Sequence, residues 1–153
     1  MARSYTQLYV HAVYSVKHRE RMLDKSWRDE VFKYSCKVIS LLKCKPIAVN
    51  GVADHVHILV GLHPTVSVSE LVSKVKSNSS RFINEKFILS HDFEWQEGYS
   101  AFSNSQSQIS RIATYIDNQE RHHSKKTFRE EYFEFLQKYN VIYDSNYLFE
   151  FFD

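Results

Sequence analysis

Asp54-His55-Val56-His57-Ile58-Leu59-Val60 is the stretch on which the fold turns. Its flanks are apolar and β-prone, so the run reads as a strand. Strand side chains alternate faces, which sends both imidazoles to one side and Val56 to the other. Two convergent imidazoles beside an acidic residue can form half of a divalent-metal site, and a buried strand gains nothing else from them. The alternative is a strand that shows two polar residues on its wetter face. The motif alone leaves both readings open.

Upstream, Pro46 to Val52 reads as another strand, and Ala53-Asp54 is a tight connection that brings the histidine strand back antiparallel. Before that, about Ser26 to Leu42 has helical spacing, with Trp27, Val31, Tyr34, Cys36, Val38, Ile39 and Leu42 on the apolar side. Leu8 to Val16 is β-rich and opens the fold. His11 within it is expected to be packed or hydrogen-bonded rather than catalytic.

Downstream, Ser67 with Glu70 has capping-box spacing and starts a helix to about Asn84. Phe87 to Glu97 is a loop or partial strand, and Tyr99 to Ser103 is a fourth strand. Ser103 to Ser107 is small and polar, a hinge candidate. His122 to Thr127 is a basic turn, Phe128 to Tyr139 a further helix, and Leu148 to Phe152 an apolar tail. The order is β-α-β-β-α-β with appended C-terminal helices, an α+β class. It predicts a ferredoxin-like or RRM-like antiparallel sheet, with helices on one face and the histidines facing away from them.

The 153 residues suit one domain, taken as 1–153, with a substantial core. A net charge of +2 supplies no global field for nucleic acid, so any basic face has to be argued by position. Cys36 and Cys44 lack zinc spacing and read as free thiols of a reducing compartment. No signal-peptide layout or bilayer-length apolar run is visible, which makes a cytoplasmic location the expectation.

Ser107 to His122 also has helical spacing, with Ile109, Ile112, Ala113 and Ile116 in one stripe. Tyr115 and Gln119 are four residues apart on that helix, taken as about 106–122, so they point the same way. Taken alone, that pair is an ordinary packing tyrosine beside a solvated glutamine.

Three blocks together resemble the single-tyrosine transposases of the insertion sequence 200/605 group, which are HUH endonucleases (IS200-like transposases). They are Asp54-His55-Val56-His57, Trp95 to Ser103, and Tyr115 to His123 running on through Lys126-Thr127-Phe128-Arg129-Glu130-Glu131-Tyr132. The similarity spans from near Tyr5 to the Tyr147-Leu148-Phe149-Glu150 tail. It departs at Ala53, where the family often has proline, and at Ser100, where a glycine is usual. Neither change removes a catalytic group.

The resemblance implies that His55, His57 and Gln119 ligate Mg²⁺ or Mn²⁺, and that Tyr115 is the nucleophile forming a 5′-phosphotyrosine bond. It implies a homodimer whose tyrosine helices are shared between subunits, and a substrate of single-stranded DNA with hairpin ends. Asp54 is a candidate hydrogen-bond partner for a ligand histidine, with a plain turn residue as the alternative. Lys74, Lys76, Arg81 and Lys86 form a candidate DNA-backbone face, and Arg3, Lys17 and Arg19 a second patch. His122 and His123 either contact DNA or cap a helix. Other readings are a replication-initiator nickase, a domesticated nuclease of genomic palindromes, and a non-catalytic hairpin binder that stacks single strands on its sheet.

Overall fold

The computed structural model describes residues 2–18, 22–87, 89 and 91–152. Its strands are β1 (Tyr9–Ser15), β2 (Lys45–Gly51), β3 (His55–Gly61) and β4 (Ser100–Asn104). Its helices are α1 (Arg28–Leu41), α2 (Val68–Lys86), α3 (Ile109–Asp117), α4 (Gln119–His123) and α5 (Phe128–Lys138). The strands form one antiparallel sheet in the order β2-β3-β1-β4. This is the β-α-β-β-α-β sheet expected, with helices added at the C-terminal end.

Alternation along β1 and β3 divides the molecule. Ala12, Tyr14, Val56, Ile58 and Val60 face α1 and α2, meeting Val31, Phe32, Val38, Ile39, Leu71, Val72, Val75 and Ile83 in the main core. The same strands send His11, Val13, His55, His57 and Leu59 to the other face. There Leu59 packs on Ile112 and Ile116 of α3, and Val13 on Phe128, Tyr132 and Leu136 of α5.

Local chemistry explains several element ends. The Ser67 hydroxyl accepts from the Glu70 amide at 3.0 Å, capping α2. That helix runs to Lys86, two residues beyond the expected end. Thr127 caps α5 in the same way through the Glu130 amide. Gly51 ends β2 where the chain doubles back; a Cβ there would lie 2.2 Å from the His55 carbonyl oxygen. The hairpin that delivers His55 therefore depends on a residue without a side chain.

The tyrosine segment departs from expectation. Instead of one helix it is a 3-10 turn (Gln106–Gln108) capped by Ser105, then α3, a break at Asn118, and α4. Asn50 of β2 helps fix the break, donating to the Ile116 and Asp117 carbonyls at 3.0 and 3.2 Å. These carbonyls lie at the end of α3, where helical partners run out. The Ser103 to Ser107 stretch is strand end and capped turn. At the far end, Gln96 clamps the tail to the sheet: its Nε2 donates to Val16 and Glu150 carbonyls, and its Oε1 accepts from the Glu150 amide. The clamp sets Phe149 and Phe151 against α5.

Candidate metal and nucleophile site

His55 and His57 are fully buried, and both Nε2 atoms donate to one carboxylate oxygen, Glu131 Oε1, at 3.1 and 2.9 Å. Their other ring nitrogens are held from behind. His55 Nδ1 donates to Asp54 Oδ1 at 2.7 Å, and His57 Nδ1 is 2.8 Å from Nε2 of His11 on the neighbouring strand. Anchored Nδ1 atoms and convergent Nε2 atoms are the arrangement metal-binding histidines adopt.

Glu131 enters from the first turn of α5 and is 1% exposed. Its second oxygen, Oε2, accepts from the Tyr115 hydroxyl and, at 3.3 Å, from Gln119 Nε2. His123 Nε2 of α4 lies 3.1 Å from the same oxygen without hydrogen-bond alignment. The structure thus gathers Tyr115, His55, His57 and Gln119 around one point. It adds Glu131, to which the sequence assigned no role, and His123, which the sequence left between DNA contact and helix capping. The ligating atoms of His55, His57, His123 and Glu131 all lie within 4.8 Å of one another.

The break at Asn118 puts Tyr115 and Gln119 on different helices, so they meet at Glu131 rather than through one helix face. All of it is built within one chain: α3 packs its Ile112 and Ile116 on the same sheet that carries the histidines.

The charges follow from this packing. Burial alone would lower His55, but its bonds to Asp54 and Glu131 outweigh that and push it up to about 9. Both ring nitrogens then carry protons. Burial lowers His57 despite the Glu131 charge, so it is neutral and accepts from His11 at Nδ1. Burial and the neighbouring His57 lower His11 to about 3. Burial opposes ionisation of Glu131, yet His57, His123 and His55 hold it well below the carboxylate range. Burial and the Glu131 charge raise the Tyr115 phenol.

Two buried polar atoms here have no hydrogen-bond partner, Gln119 Oε1 and His123 Nε2. Such orphans are uncommon and call for an explanation. A cation at the centre would supply one. The carboxamide can turn its oxygen inward by a half-rotation, and neutral imidazoles offer lone pairs. Imidazole and carboxylate donors together fit a divalent transition ion or Mg²⁺.

The remaining residues singled out from the sequence lie elsewhere. Lys74, Lys76, Arg81 and Lys86 are on α2, across the sheet from the histidines. Lys76 donates to the Gln96 and Gly98 carbonyls, Arg81 to Asn78, and Lys86 pairs with Glu30. Lys17 lies 3.8 Å from Glu94, and Arg3 is exposed near the N-terminus. Arg19 is outside the described residues.

The fold and the buried cluster define the class, an α+β protein with a His/Glu group able to hold a cation beside a tyrosine. The family model "Transposase IS200 like" matches residues 4–119. The chain belongs to the IS200-like transposase family. It is similar in fold to a candidate transposase from Deinococcus radiodurans R1, with 23% identity over 78% of this chain and 96% of that one, at a TM-score of 0.61. It is also similar to a REP-associated tyrosine transposase solved bound to a REP hairpin, with 14% identity over 77% and 70% of the two chains, at a TM-score of 0.55. No curated protein matches this chain significantly. His123 and Glu131 lie beyond the family-matched span. Among the described residues, no helix is long and apolar enough to cross a membrane.

Proposed function

We propose that this protein is a metal-dependent single-strand DNA endonuclease and strand transferase, a transposase acting on hairpin-bearing element ends, with Tyr115 as its nucleophile. The observation that carries the reading is the Tyr115 hydroxyl bound to the same carboxylate that joins His55 and His57. A nucleophile and a cation site sharing one residue is what attack on a metal-held phosphate requires.

His55, His57 and Glu131 would hold the ion, with Gln119 and His123 completing the set. A bound Mg²⁺ or Mn²⁺ would polarise the scissile phosphate as a Lewis acid. The two imidazoles and the carboxylate tilt the choice toward Mn²⁺. Asp54 and His11 keep the two ligand rings oriented. Glu131 aims the phenol by accepting its hydrogen bond.

Attack by the phenol oxygen forms a P–O bond and breaks the P–O3′ bond. The products are a 5′-phosphotyrosine and a free 3′-hydroxyl. The phosphodiester energy is kept in the covalent intermediate, so a second 3′-hydroxyl can reverse the step and rejoin DNA without ATP. Burial raises the phenol above its usual value near 10, which keeps it protonated until substrate and metal are in place. The hairpin carried by the REP-associated relative supports a folded single strand as the substrate class.

The test is a denaturing gel for a covalent protein–DNA adduct. Single-stranded DNA from the flanks of the gene is incubated with Mn²⁺ or Mg²⁺. An adduct should form and vanish with Tyr115→Phe or EDTA; binding with no adduct under either metal would leave a hairpin-binding module. Mixing Tyr115→Phe with His57→Ala adds a second readout. Activity in the mixture would mean a homodimer that shares its tyrosine helices, and none would mean that the tyrosine acts on its own chain's histidines, as the closed site supports.

A further inference from the structure

Beside Tyr115 lies a second concavity, of about 230 Å³, between α3 and α5. Drug-sized ligands occupy pockets of about 300–1,000 Å³, so this one has room for a smaller planar group. Its walls include Phe135 and Tyr139 together with Tyr115 itself. Arg111, one helical turn before Tyr115, and Lys138, two turns after Glu131, stand at its rim.

The charge pattern there is unusual. The pocket's carboxylates are both engaged: Glu131 with the histidines, and Glu134 with Lys126 Nζ at 2.7 Å. Arg111 and Lys138 have no carboxylate partner among the described residues; Lys138 Nζ lies 5.7 Å over the Tyr139 ring. The larger cleft on the other side of His123, about 610 Å³, is basic too, but its Arg28 is bound to Glu120 and its Lys126 to Glu134. The smaller pocket pairs two cations free of carboxylates with aromatic walls directly beside Tyr115.

We propose that this pocket holds one unpaired nucleotide of the DNA strand, next to the phosphate that Tyr115 attacks. Its base lies against Phe135 and Tyr139, and its phosphate meets Arg111 and Lys138. The proposal rests on the transferase reading and adds a protein-read position to it. Proteins that bind single strands stack bases on aromatic side chains beside cations that track the backbone, and every base has a face that stacks. The position explains why two cations sit uncompensated beside a nucleophile whose target is an anion.

The experiment is photo-crosslinking of the full chain, in EDTA, to a pool of single-stranded oligodeoxynucleotides carrying one 5-iodouracil, followed by peptide mapping. Crosslinks should fall on Phe135 or Tyr139, and should persist in Tyr115→Phe. The exposed pair Arg111→Ala with Lys138→Ala should weaken single-strand binding roughly tenfold at low salt and flatten its salt slope by about 1.4, for two lost phosphate contacts. Its Mn²⁺ affinity and melting temperature should not change. Crosslinks confined to α2, or an unchanged salt slope, would overturn the pocket. The adduct assay separates the two ideas. Adducts with crosslinks elsewhere remove the pocket and keep the chemistry; pocket crosslinks without adducts under any metal do the reverse.

Discussion

β3 presents two faces that are equally hidden and chemically opposite. Val56, Ile58 and Val60 meet α1 and α2, while His55, His57 and Leu59 meet α3 and α5, and all six are 0–1% exposed. The first face closes by apolar burial, which is non-directional and tolerant of small changes. The second sets small apolar clusters around Leu59 and Val13 on either side of hydrogen bonds that converge on a single carboxylate. Burying imidazoles and a carboxylate is costly unless each finds a partner. Glu131 accepts from four side chains at once, His55, His57, Tyr115 and Gln119, so the polar part of this face depends on one residue where the apolar face depends on many.

The sharpest way to break the comparison is therefore Glu131. Replacing it with alanine leaves the His55 imidazolium short of a partner and should destabilise the metal-free protein by about 3–5 kcal/mol. Glu131→Gln keeps the volume and separates folding from chemistry. It should fold, yet lose about 100-fold or more in Mn²⁺ affinity, a loss at the upper end of that seen when supporting residues are removed. Calorimetric titration with Mn²⁺ reads it. Unchanged affinity would remove Glu131 from the ligand set.

The opposite face calls for the opposite result. Leu71 is fully buried against the sheet from α2. Leu71→Ala should cost about 2–5 kcal/mol in urea unfolding, through lost burial and the cavity left behind. The folded fraction should bind Mn²⁺ with the same affinity. A fall in metal affinity would mean that the two faces are coupled through the strands.

Much of this division was legible in the sequence because its causes are local. The alternation in Asp54 to Val60 places His55 and His57 together on one face, and the Ser67–Glu70 spacing marks where α2 begins. The family resemblance located Tyr115 and Gln119. The break at Asn118 was not legible, since it is held by Asn50 from a distant strand. Glu131 was missed for a related reason: its partners come from β3, α3 and α4. A signal was present. Glu131 occupies a stripe position between Phe128 and Phe135, at spacings of three and four, where an apolar residue belongs. An acid in an apolar stripe calls for a buried polar partner.

Protons test the histidine face more gently. His55 is raised from 6.5 to about 9 in the folded chain. Its contribution to stability is fully present below pH 6.5 and is lost as pH rises through 9. His11, lowered to about 3, acts in the other direction, so its burial costs stability below pH 6.5 and ceases to cost it above. With EDTA present, the melting temperature should peak near pH 6.5 and fall toward pH 9. His55→Gln should remove that high-pH fall, and saturating Mn²⁺ should remove it too, because the ion replaces the proton between the ligands. A flat profile in EDTA would show that His55 is not charged in the metal-free state.

The smallest expected effect is on α2. In the sequence, Lys74, Lys76, Arg81 and Lys86 read as a candidate DNA-backbone face on the polar side of α2. In the fold they lie across the sheet from Tyr115, and Lys76, Arg81 and Lys86 are engaged by carbonyls, Asn78 and Glu30. A strand bound at Tyr115 would run along α3 and α5, and the sheet stands between it and α2. Lys74→Ala with Arg81→Ala should then leave the slope of log affinity against log salt unchanged, whereas two lost phosphate contacts would flatten it by about 1.4. Anisotropy of a labelled hairpin at several salt concentrations distinguishes the two. A flattened slope would mean that the DNA wraps around the sheet edge, and that the apolar face carries a binding surface on its outer side.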